Sequence, residues 1–384
     1  MTRPATNICL NMIVKNEEKV LPRLFRSLKD YIDYYVIVDT GSTDGTIPLI
    51  AREMAAYGIP GEVHERPWVN FGVNRQQALE LALAADRADY LLFIDADEEL
   101  GVSDPTFYEK LEPGVSYELE KHHGGVRYAV PHLVNVRTCT YRWEGPVHNY
   151  LVVTSGPKRR RRRHDVWIVY HHGEGAKSQG VTQEEKFLRD ARILEEHLET
   201  NPGHPRSQFY LAQSYRDAGR LEKALSEYKK RVQLPGGWDE ERFCAQLEVG
   251  RLSVRLEKTE DIVLAELLSA YNLRPTRAEP LYELARYFRQ RQMHAMGSLF
   301  AKAGVSTPRP GDSLFVVEGV YQWRLLDELA VCSHHVGDFA ACKRACEELL
   351  SRVEQGLDVP EADVRRVRDN LVAAAERLEP PQES

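Results

Sequence analysis

The first half of the chain alternates short apolar runs with segments in which apolar residues recur every three or four positions. The runs NICLNMIV, DYYVIVD, GEVHERPW and DYLLFID begin at residues 7, 33, 61 and 89 and have the length of buried strands. Amphipathic segments with helical spacing separate them. Strands and helices that alternate in this order favour a mostly parallel sheet with helices on both faces, so we expect an α/β N-terminal domain.

The second half, from about Gln183 onward, changes to one helical pattern after another, with faint internal repeats. The clearest copy runs from Phe209 to Val232 and carries small and aromatic residues at the spacing of a tetratricopeptide helix pair. Two later segments repeat part of this pattern, and we expect a degenerate copy near Gly250. Small residues at these positions let antiparallel helices approach closely, and neighbouring pairs then stack into a solenoid.

The change of pattern sets the expected domain boundaries. A length of 384 residues suggests two or three domains. We expect an α/β domain with a mostly parallel sheet over 1–180 and an all-α tetratricopeptide-like helical solenoid over 181–378. The last residues, 379–384, read as a disordered tail.

Composition and charge narrow the functional classes. The chain is 42% hydrophobic and 28% charged, as in ordinary soluble globular proteins, and its net charge of −7 disfavours nucleic acid or an anionic membrane as partner. No run of 18 or more apolar residues occurs, so we expect no membrane span, and the N-terminus lacks the layout of a signal peptide. The six cysteines form no CxxC pair. We therefore expect reduced cysteines, no zinc site and a cytoplasmic location.

The stretch YLLFIDADEEL, from Tyr90 to Leu100, ends a buried strand in a cluster of carboxylates. Like charges this close repel unless a cation lies between them. If the strand ends at Asp95, the turn can aim Asp95 and Asp97 into one cleft at the carboxyl ends of the strands, where such sheets bind ligands. Two hard oxygen ligands suit Mg²⁺ or Mn²⁺ holding a diphosphate. A solvated acidic loop end is the alternative.

Two further turns fall at the same predicted edge of the sheet. In VDTGSTDGT, Asp39 can accept hydrogen bonds from a nucleobase or ribose, and Gly41 supplies turn flexibility. Asp44 is either part of this site or a plain helix N-cap. In MIVKNEE, which ends the first strand, Asn16 and Glu17 either shape a base-binding turn or cap the next helix.

Arg75 lies on the third amphipathic segment, in NFGVNRQQAL. Its guanidinium can reach a phosphate or pair with one of the aspartates, because a planar fork of donors suits either anion.

Four segments, in this order and spacing, resemble the donor-binding half of a family 2 inverting nucleotide-sugar glycosyltransferase with the GT-A fold: CLNMIVKNEE, VIVDTGSTDGT, NRQQAL and LLFIDADEEL. The resemblance covers about the first 100 residues. It implies transfer of a hexose from a nucleotide-sugar, UDP-linked, to a peptide, protein or glycan acceptor, with Mn²⁺ or Mg²⁺ as cofactor. The chain resembles bacterial members with C-terminal tetratricopeptide repeats, such as the sublancin-type peptide glycosyltransferases.

The resemblance also implies the residues of the donor site. Asp39 would bind uracil or another base, and Arg75 would lie near the donor phosphates. Asp97 would be the direct metal ligand, with Asp95 near the ribose or the metal. The residues implied for nucleotide-sugar binding are Ile13, Val14, Lys15, Asn16, Glu17, Asp39, Gly41, Ser42, Arg75, Asp95 and Ala96.

A second pair of segments, YRWEGPVHNYL and WIVYHHGEG, resembles the parts that close the active site in that bacterial group. A histidine after a strand completes the metal site there. This implies His171 as a ligand beside Asp95 and Asp97, with His172 as the fallback and a structural histidine as the alternative.

One departure from the group concerns the general base. Its members commonly carry VHE, whose glutamate is a plausible base, whereas this chain has VHN, ending at Asn149. An amide cannot take a proton at neutral pH. Either Glu144 or His148 then supplies the base, or an acid of the cluster, Asp97 or Glu98, does. The candidate catalytic residues are Glu144, His148 and Asn149, and an altered or lost activity is the other outcome.

Two conspicuous features have both a functional and a structural interpretation. Lys158 to Arg163 are six consecutive cations between two predicted strands. They form either a mobile loop over a diphosphate or acidic acceptor, or a solvated hairpin tip. Trp143 and Tyr141 form either an acceptor-sugar platform or part of the core.

The repeats would provide a concave surface for the acceptor or for a homodimer through the helical domain. A rival from another class is a tetratricopeptide interaction scaffold with a degenerate transferase domain, which Asn149 favours. A nucleotidyltransferase also uses paired carboxylates and a metal. It would normally need a glycine-rich, basic stretch after the first strand, and MIVKNEEK is poor for that.

Overall fold

The computed structural model describes residues 6–123, 126–171, 173–175 and 180–378. The chain separates into two compact units, Met1–His197 and Leu198–Ser384. The predicted tail, 379–384, lies outside the described residues. In the described part of the chain, no helix combines the length and apolar character that a membrane crossing needs.

The N-terminal unit contains an eight-stranded sheet and a separate two-stranded hairpin. Its strands are β1 (Ile8–Val14), β2 (Tyr34–Asp39), β3 (Gly61–Glu65), β4 (Tyr90–Phe93), β5 (Glu98–Val102), β6 (Ser116–His123), β7 (Val126–Asn135), β8 (Thr140–Glu144), β9 (Tyr150–Ser155) and β10 (Arg160–Tyr170). Its helices are α1 (Leu21–Leu28), α2 (Thr46–Tyr57), α3 (Phe71–Ala85) and α4 (Gln183–Thr200), of which α4 runs across the division between the units. A short 3₁₀ turn covers Phe107–Lys110.

The strand order in the large sheet is β3-β2-β1-β4-β7-β6-β10-β5. The neighbours among β1 to β4 are parallel, as the alternation of strands and helices predicts. β7 then pairs antiparallel with both β4 and β6, and β10 runs parallel to β6 and antiparallel to β5. The predicted α/β fold with a mostly parallel sheet is therefore confirmed, and its far half is mixed.

Helices cover both faces of the first four strands. On one face, α1 packs Leu24 and Phe25 against Leu10 of β1 in a large apolar cluster. On the other face, α3 packs Leu79 against Val36 of β2. Near-continuous apolar strands are typical of parallel sheets that are buried on both sides.

The carboxyl ends of β1, β2 and β4 meet at one edge because the three strands are parallel neighbours. The backbone N–H and the hydroxyl of Thr40 both donate to the carbonyl of Val14, at 2.9 and 3.0 Å. These bonds join the turns that follow β1 and β2. The predicted site segments are therefore brought to one edge of the sheet.

The sequence suggested a loop or a hairpin tip for the run of cations, but only Lys158 and Arg159 lie outside a strand. Residues 160–163 lie within β10, and 160–162 pair in parallel with β6. Arg160 lies 3.2 Å from Glu118, Arg161 pairs with Glu112, and Arg163 donates to Asp165. These carboxylates allow several positive charges to occupy one strand.

The C-terminal unit consists of successive helices: α5 (Pro205–Asp217), α6 (Leu221–Gln233), α7 (Asp239–Arg255), α8 (Glu260–Leu273), α9 (Glu279–Gln290), α10 (His294–Val305), α11 (Leu325–His335), α12 (Phe339–Glu354) and α13 (Glu361–Leu378). A π-helical turn, Val320–Arg324, leads into α11. Consecutive helices pack against each other. The predicted repeats correspond to the pairs α5–α6, α9–α10 and α11–α12, and the degenerate copy near Gly250 is the pair α7–α8.

Small buried side chains line the contacts between paired helices. Ala212 and Ala224 are fully buried in the pair α5–α6, and Ala285 and Ala301 are fully buried in the pair α9–α10. A Cβ on Gly250 would meet the Leu267 side chain, so α7 and α8 touch where this glycine lies. The close approach expected from the sequence is present. Each of the six cysteines is a buried free thiol.

Candidate functional site

The turn between β4 and β5 presents the paired carboxylates. The strand ends at Phe93, earlier than the sequence suggested, and the backbone N–H of Glu98 closes the turn on the carbonyl of Asp95 at 3.1 Å. Glu98 is only 1% exposed, and its carboxylate accepts the N–H of Asp95 at 2.8 Å. Lys121 of β6 forms an ion pair with the same carboxylate. Glu98 therefore anchors the turn, and its burial removes it from the candidate bases.

The two aspartates of this turn differ electrostatically. Burial alone would raise the pKa of Asp95, but the charges of Arg75 and Lys121 hold it below its ordinary value. Burial and the neighbouring charges of Asp95 and Glu98 raise the pKa of Asp97 to about 6. Asp97 therefore carries uncompensated negative charge, as expected for a site that a cation completes.

Arg75 connects the aspartate turn to the hairpin β8–β9. Its guanidinium forms an ion pair with Asp95 and donates to the amide oxygen of Asn149 at 2.8 Å. The guanidinium also lies 5.3 Å from the centre of the Trp143 ring. Of the two partners that the sequence suggested for Arg75, the structure shows an aspartate, and contact with a phosphate stays a prediction. The structure brings Arg75, Asp95 and Asn149 together.

The hairpin is held against the start of α3. Asn70 caps this helix by accepting the N–H of Val73 at 2.9 Å, and Gln76 accepts the N–H of Trp143 at 2.9 Å. A Cβ on Gly72 would clash with the carbonyl oxygen of Gly145, so only glycine allows this approach. The contact fixes the hairpin loop, and with it Asn149, beside Arg75.

The three candidate catalytic residues have different surroundings. Glu144 pairs with Arg142 and accepts the hydroxyl of Tyr150 at 2.8 Å. His148 is exposed in the hairpin loop and has a left-handed backbone, with φ of 48°. The amide nitrogen of Asn149 is buried and has no hydrogen-bond partner among the described residues. An orphaned buried donor next to Arg75 fits an oxygen atom of a bound substrate.

Asp39 is 1% exposed and its carboxylate is occupied by the turn that follows β2. One oxygen accepts the N–H groups of Gly41 and Ser42 at 2.9 and 2.8 Å, and the other accepts the Ser42 hydroxyl. Gly41 has φ of 104°, which requires glycine. The primary effect of Asp39 in this structure is to build the turn. Carboxylate oxygens have further lone pairs, so base binding stays a prediction.

The turn after β1 is built from its predicted residues. Asn16 has φ of 56°, donates its N–H to the Ser42 hydroxyl at 2.8 Å and accepts the N–H of Thr43 at 2.7 Å. The N–H of Glu17 donates to the Thr46 hydroxyl at 2.8 Å. Of the other predicted pocket residues, Val14 accepts from Thr40, as described above. Ile13 is half-buried, Lys15 is exposed, Ser42 is half-buried and Ala96 is buried.

Asp44 supports the start of α2, although Gly45 is the N-cap residue. Its carboxylate accepts the N–H and the hydroxyl of Thr46 at 3.0 and 2.6 Å. Burial would raise the pKa of Asp44, but these hydrogen bonds hold it below its ordinary value. The geometry therefore supports a structural role for Asp44, which stabilises the start of α2.

His171 lies at the end of β10, beside the aspartate turn. Its backbone N–H donates to the carbonyl of Asp97 at 3.0 Å, while its imidazole lies 3.1 Å from the Glu99 carboxylate. A Cβ on Gly175 would come within 2.7 Å of an Asp97 carboxylate oxygen, so the segment after β10 covers this acid. His172, the predicted fallback, lies outside the described residues.

The described residues contain no group of three or more His, Cys, Asp or Glu side chains arranged to hold a metal ion. Asp95, Asp97 and His171 therefore do not form a closed ligand set. The chemistry of the two half-exposed carboxylates nevertheless fits Mn²⁺ or Mg²⁺, because such ions are often held by one or two carboxylates together with substrate phosphates.

Several residues near the site were not predicted from the sequence. Lys121 pairs with Glu98, as described above, and burial lowers the pKa of His132, whose ring nitrogen lies 2.6 Å from the carbonyl of Phe93. Neither lies in a recognisable motif. Tyr141, for which the sequence left a sugar platform and the core as alternatives, belongs to the core, since its hydroxyl bonds Ser116 and the Asn135 carbonyl. No local pattern signals these contacts, because β6 also pairs with β10, and β7 with β4, and these two strands lie far away in sequence.

Comparison with known proteins gives a family for the N-terminal region. Residues 9–111 match the model of glycosyl transferase family 2. A TPR repeat-containing protein of Synechococcus elongatus is 40% identical over 94 residues, which are 24% of this chain and 21% of that protein. The SPbeta prophage-derived glycosyltransferase SunS of Bacillus subtilis is 24% identical over 240 residues, which are 59% of this chain and 53% of SunS.

A further relative is an uncharacterized glycosyltransferase of Rickettsia felis, 30% identical over 112 residues, or 29% of this chain and 34% of that protein. The chain thus spans between about a fifth and about half of the length of these curated relatives.

Two solved structures are also similar. MamA aligns with a TM-score of 0.36 and 17% identity, covering 46% of this chain and 90% of MamA. S. aureus TarS 1–349 in complex with UDP-GlcNAc aligns with a TM-score of 0.36 and 15% identity, covering 70% of this chain and 91% of TarS. Both TM-scores are below 0.5, so neither structure bears on what this chain binds. Residues 9–111 are thus similar to glycosyl transferase family 2, and the chain joins this region to a unit of tetratricopeptide-like helix pairs.

Proposed function

We propose that the chain is a metal-dependent inverting glycosyltransferase that moves a hexose from a UDP-linked sugar to a peptide, protein or glycan. The observation that carries the proposal is the contact of Arg75 with both Asp95 and Asn149. It joins the aspartate turn of a glycosyl transferase family 2 domain to the hairpin that follows it. Acceptor binding or homodimer formation by the helical unit is part of the same proposal.

In the proposed donor complex, the turns after β1 and β2 hold the nucleoside, and Arg75 contacts the diphosphate. Arg75 is half-buried and already faces a carboxylate, so it is oriented before the anion binds. The unpartnered amide of Asn149 donates to an oxygen of the donor or the acceptor.

The metal would be held by Asp97 and Asp95, with His171 beside them, and when bound it would neutralise charge on the departing diphosphate. The carboxylates contribute oxygen ligands. Glu98 and Lys121 contribute rigidity, because they fix the backbone from which both aspartates project.

The proposed reaction is a displacement at the anomeric carbon. An acceptor hydroxyl, thiol or amide forms the new bond to that carbon from the face opposite the diphosphate. The bond from carbon to diphosphate oxygen breaks, and the electron pair leaves with the diphosphate. The acceptor proton passes to a base, for which Glu144, His148 and Asp97 remain the candidates.

Calorimetry with UDP, GDP and their sugars, with and without Mn²⁺, tests the proposal on the wild type, Asp97→Ala and the control Glu109→Ala. Glu109 is an exposed acid of the same unit. We expect metal-dependent binding of one nucleotide, lost in Asp97→Ala and kept in Glu109→Ala. Absence of nucleotide binding with every metal would overturn the transferase.

A second candidate is an interaction scaffold with a degenerate transferase domain, favoured by Asn149 in place of a glutamate. It predicts that no nucleotide binds. If nucleotide binds and Asn149→Glu raises the rate of sugar transfer to a thiol-free acceptor, the domain is a transferase with a weakened base.

A further inference from the structure

A cavity lies between the hairpin β8–β9 and the sheet, away from the aspartate turn. Its volume is about 260 Å³, and its apolar walls come from Pro131, Val134, Leu151 and Val153. The Tyr141 hydroxyl at its floor is already bonded to Ser116 at 2.7 Å. With its polar groups satisfied in this way, the floor favours an apolar occupant.

The rim of this cavity is cationic. Lys158, Arg159 and Arg160 line it and are exposed. Arg160 lies 3.2 Å from Glu118, whereas Lys158 and Arg159 have no acidic partner among the described residues. A chain of net charge −7 therefore displays a local excess of positive charge beside an apolar cavity. The occupant that complements both features is apolar and is flanked by negative charge.

The hairpin links this cavity to the candidate active site along the chain. Leu151, in its wall, pairs directly with Trp143, which lies beside Arg75. Asn149 precedes Leu151 and Val153 by two and four residues on one extended segment. At roughly 3.4 Å per residue, the cavity begins roughly 7 to 14 Å from Asn149.

We propose that this cavity binds the apolar side chain of an acidic peptide segment, and that this side chain lies about two to four residues from the residue that receives the sugar. The proposal rests on the proposed function for the sugar transfer itself, but peptide binding does not require it. An extended peptide running along the hairpin covers the same distance per residue as β9. Its carboxylates would then lie over Lys158 and Arg159.

The volume limits the occupant to one side chain. A cavity of roughly 150 Å³ already takes up a benzene ring, so about 260 Å³ accommodates a phenylalanine or leucine side chain with some space to spare. The chain of a long lipid would not fit within this space. The observations therefore favour a peptide over a lipid.

Fluorescence anisotropy on the full-length protein tests the proposal without a donor. The probe is a short labelled peptide with a central phenylalanine flanked by glutamates, and the matched peptide has serine in place of the phenylalanine. We expect binding that weakens about tenfold with the serine peptide and falls as salt rises. Equal binding of both peptides, or preferential binding of phosphatidylglycerol vesicles, would overturn the proposal.

Two variants locate the binding. Val153→Trp fills the cavity, and its control Val152→Trp places the same ring on the opposite face of the strand. Arg159→Glu reverses a rim charge, and its control Arg26→Glu reverses an exposed charge on α1. We expect about tenfold weaker peptide binding for Val153→Trp and for Arg159→Glu, and wild-type binding for both controls. Unchanged binding in Arg159→Glu, an exposed substitution that leaves the fold intact, would overturn the proposal even if Val153→Trp failed to fold.

The result of the peptide-binding test can be distinguished from the result of the nucleotide-binding test of the proposed function. Peptide binding without any nucleotide binding would support the peptide-binding cavity and overturn the proposed transferase activity. Nucleotide binding without peptide binding would do the reverse.

Discussion

The turns after β2 and after β4 are both acidic and lie at the same edge of the sheet, yet their carboxylates have opposite surroundings. Asp39 is almost fully buried, and backbone and hydroxyl donors of its own turn occupy its carboxylate. Asp97 is half-exposed, and its neighbours are other carboxylates. An acid at a strand end therefore marks either a turn that stabilises itself or a site that is completed from outside.

The two turns also differ in their effect on the stability of the fold. The turn at Asp39 is locally satisfied, so its acid contributes to stability. The turn at Asp97 concentrates like charge and depends on the ion pair of buried Glu98 with Lys121 to hold it in place. Active sites commonly trade stability for function in this way.

The largest effect is expected from Glu98→Gln, because it removes the ion-pair partner of Lys121, whose side chain is only 16% exposed. We expect a loss of about 3 kcal/mol or more in the free energy of unfolding, measured in urea. The exposed acid Glu109 gives the control, and Glu109→Gln should change stability by less than about 0.5 kcal/mol. Equal effects in the two variants would mean that the aspartate turn is not anchored through Glu98.

Asp39→Ala should cost about 1–3 kcal/mol, because it leaves the N–H groups of Gly41 and Ser42 without an acceptor. Asp39→Asn should cost less, since its amide oxygen still accepts. If Asp39→Asn keeps the stability of the wild type but loses nucleotide binding, the first turn also acts as a binding site, and the contrast between the turns weakens.

Asp97→Asn should have the opposite sign and a smaller size. Removing one of several like charges should raise the free energy of unfolding by about 1 kcal/mol at neutral pH, while metal-dependent nucleotide binding is lost. Chemical denaturation and calorimetry on the same preparation measure both quantities. A destabilised Asp97→Asn would show that this acid is structural, like Asp39.

The smallest effect concerns pH and Asp44. Its pKa is held below the ordinary value in the folded state, so the unfolded chain binds more protons and stability falls as pH drops through the window below about 3.8. Asp44→Asn should reduce this acid dependence of the melting temperature slightly. An unchanged slope between pH 5 and pH 2 would mean that the hydrogen bonds to Thr46 do not persist in solution.

Much of the first 100 residues could be predicted from local sequence, and the reason is physical. Parallel neighbours place the ends of β1, β2 and β4 at one edge, so recognising the three strands was enough to expect Asp39 and Asp95 to lie near one another. Arg75, on the helix that leads into β4, was expected to pair with an aspartate or to reach a phosphate, and the first of these contacts is present. These relations follow from the alternation of strands with helices and from the short loops that connect them.

The rest depends on contacts that local sequence does not carry. Lys121 reaches Glu98 only because β6, β10 and β5 are neighbours in the sheet, an order that no periodicity reveals. The arginine run looked like a solvated tip because its partners, Glu112 and Glu118, precede it by more than 40 residues. The sequence singled out Asn149 because an amide cannot accept a proton. Its contact with Arg75 could not be predicted, because that contact depends on where the hairpin lies.

Gly72 gives the contact between α3 and the hairpin loop a further meaning. A single methyl group at this position would push the loop carrying Gly145 away, and would separate Asn149 from Arg75 without altering either residue. Side-chain size at residue 72 therefore sets the distance between α3 and the hairpin loop, so a library of substitutions at this one position would vary that distance.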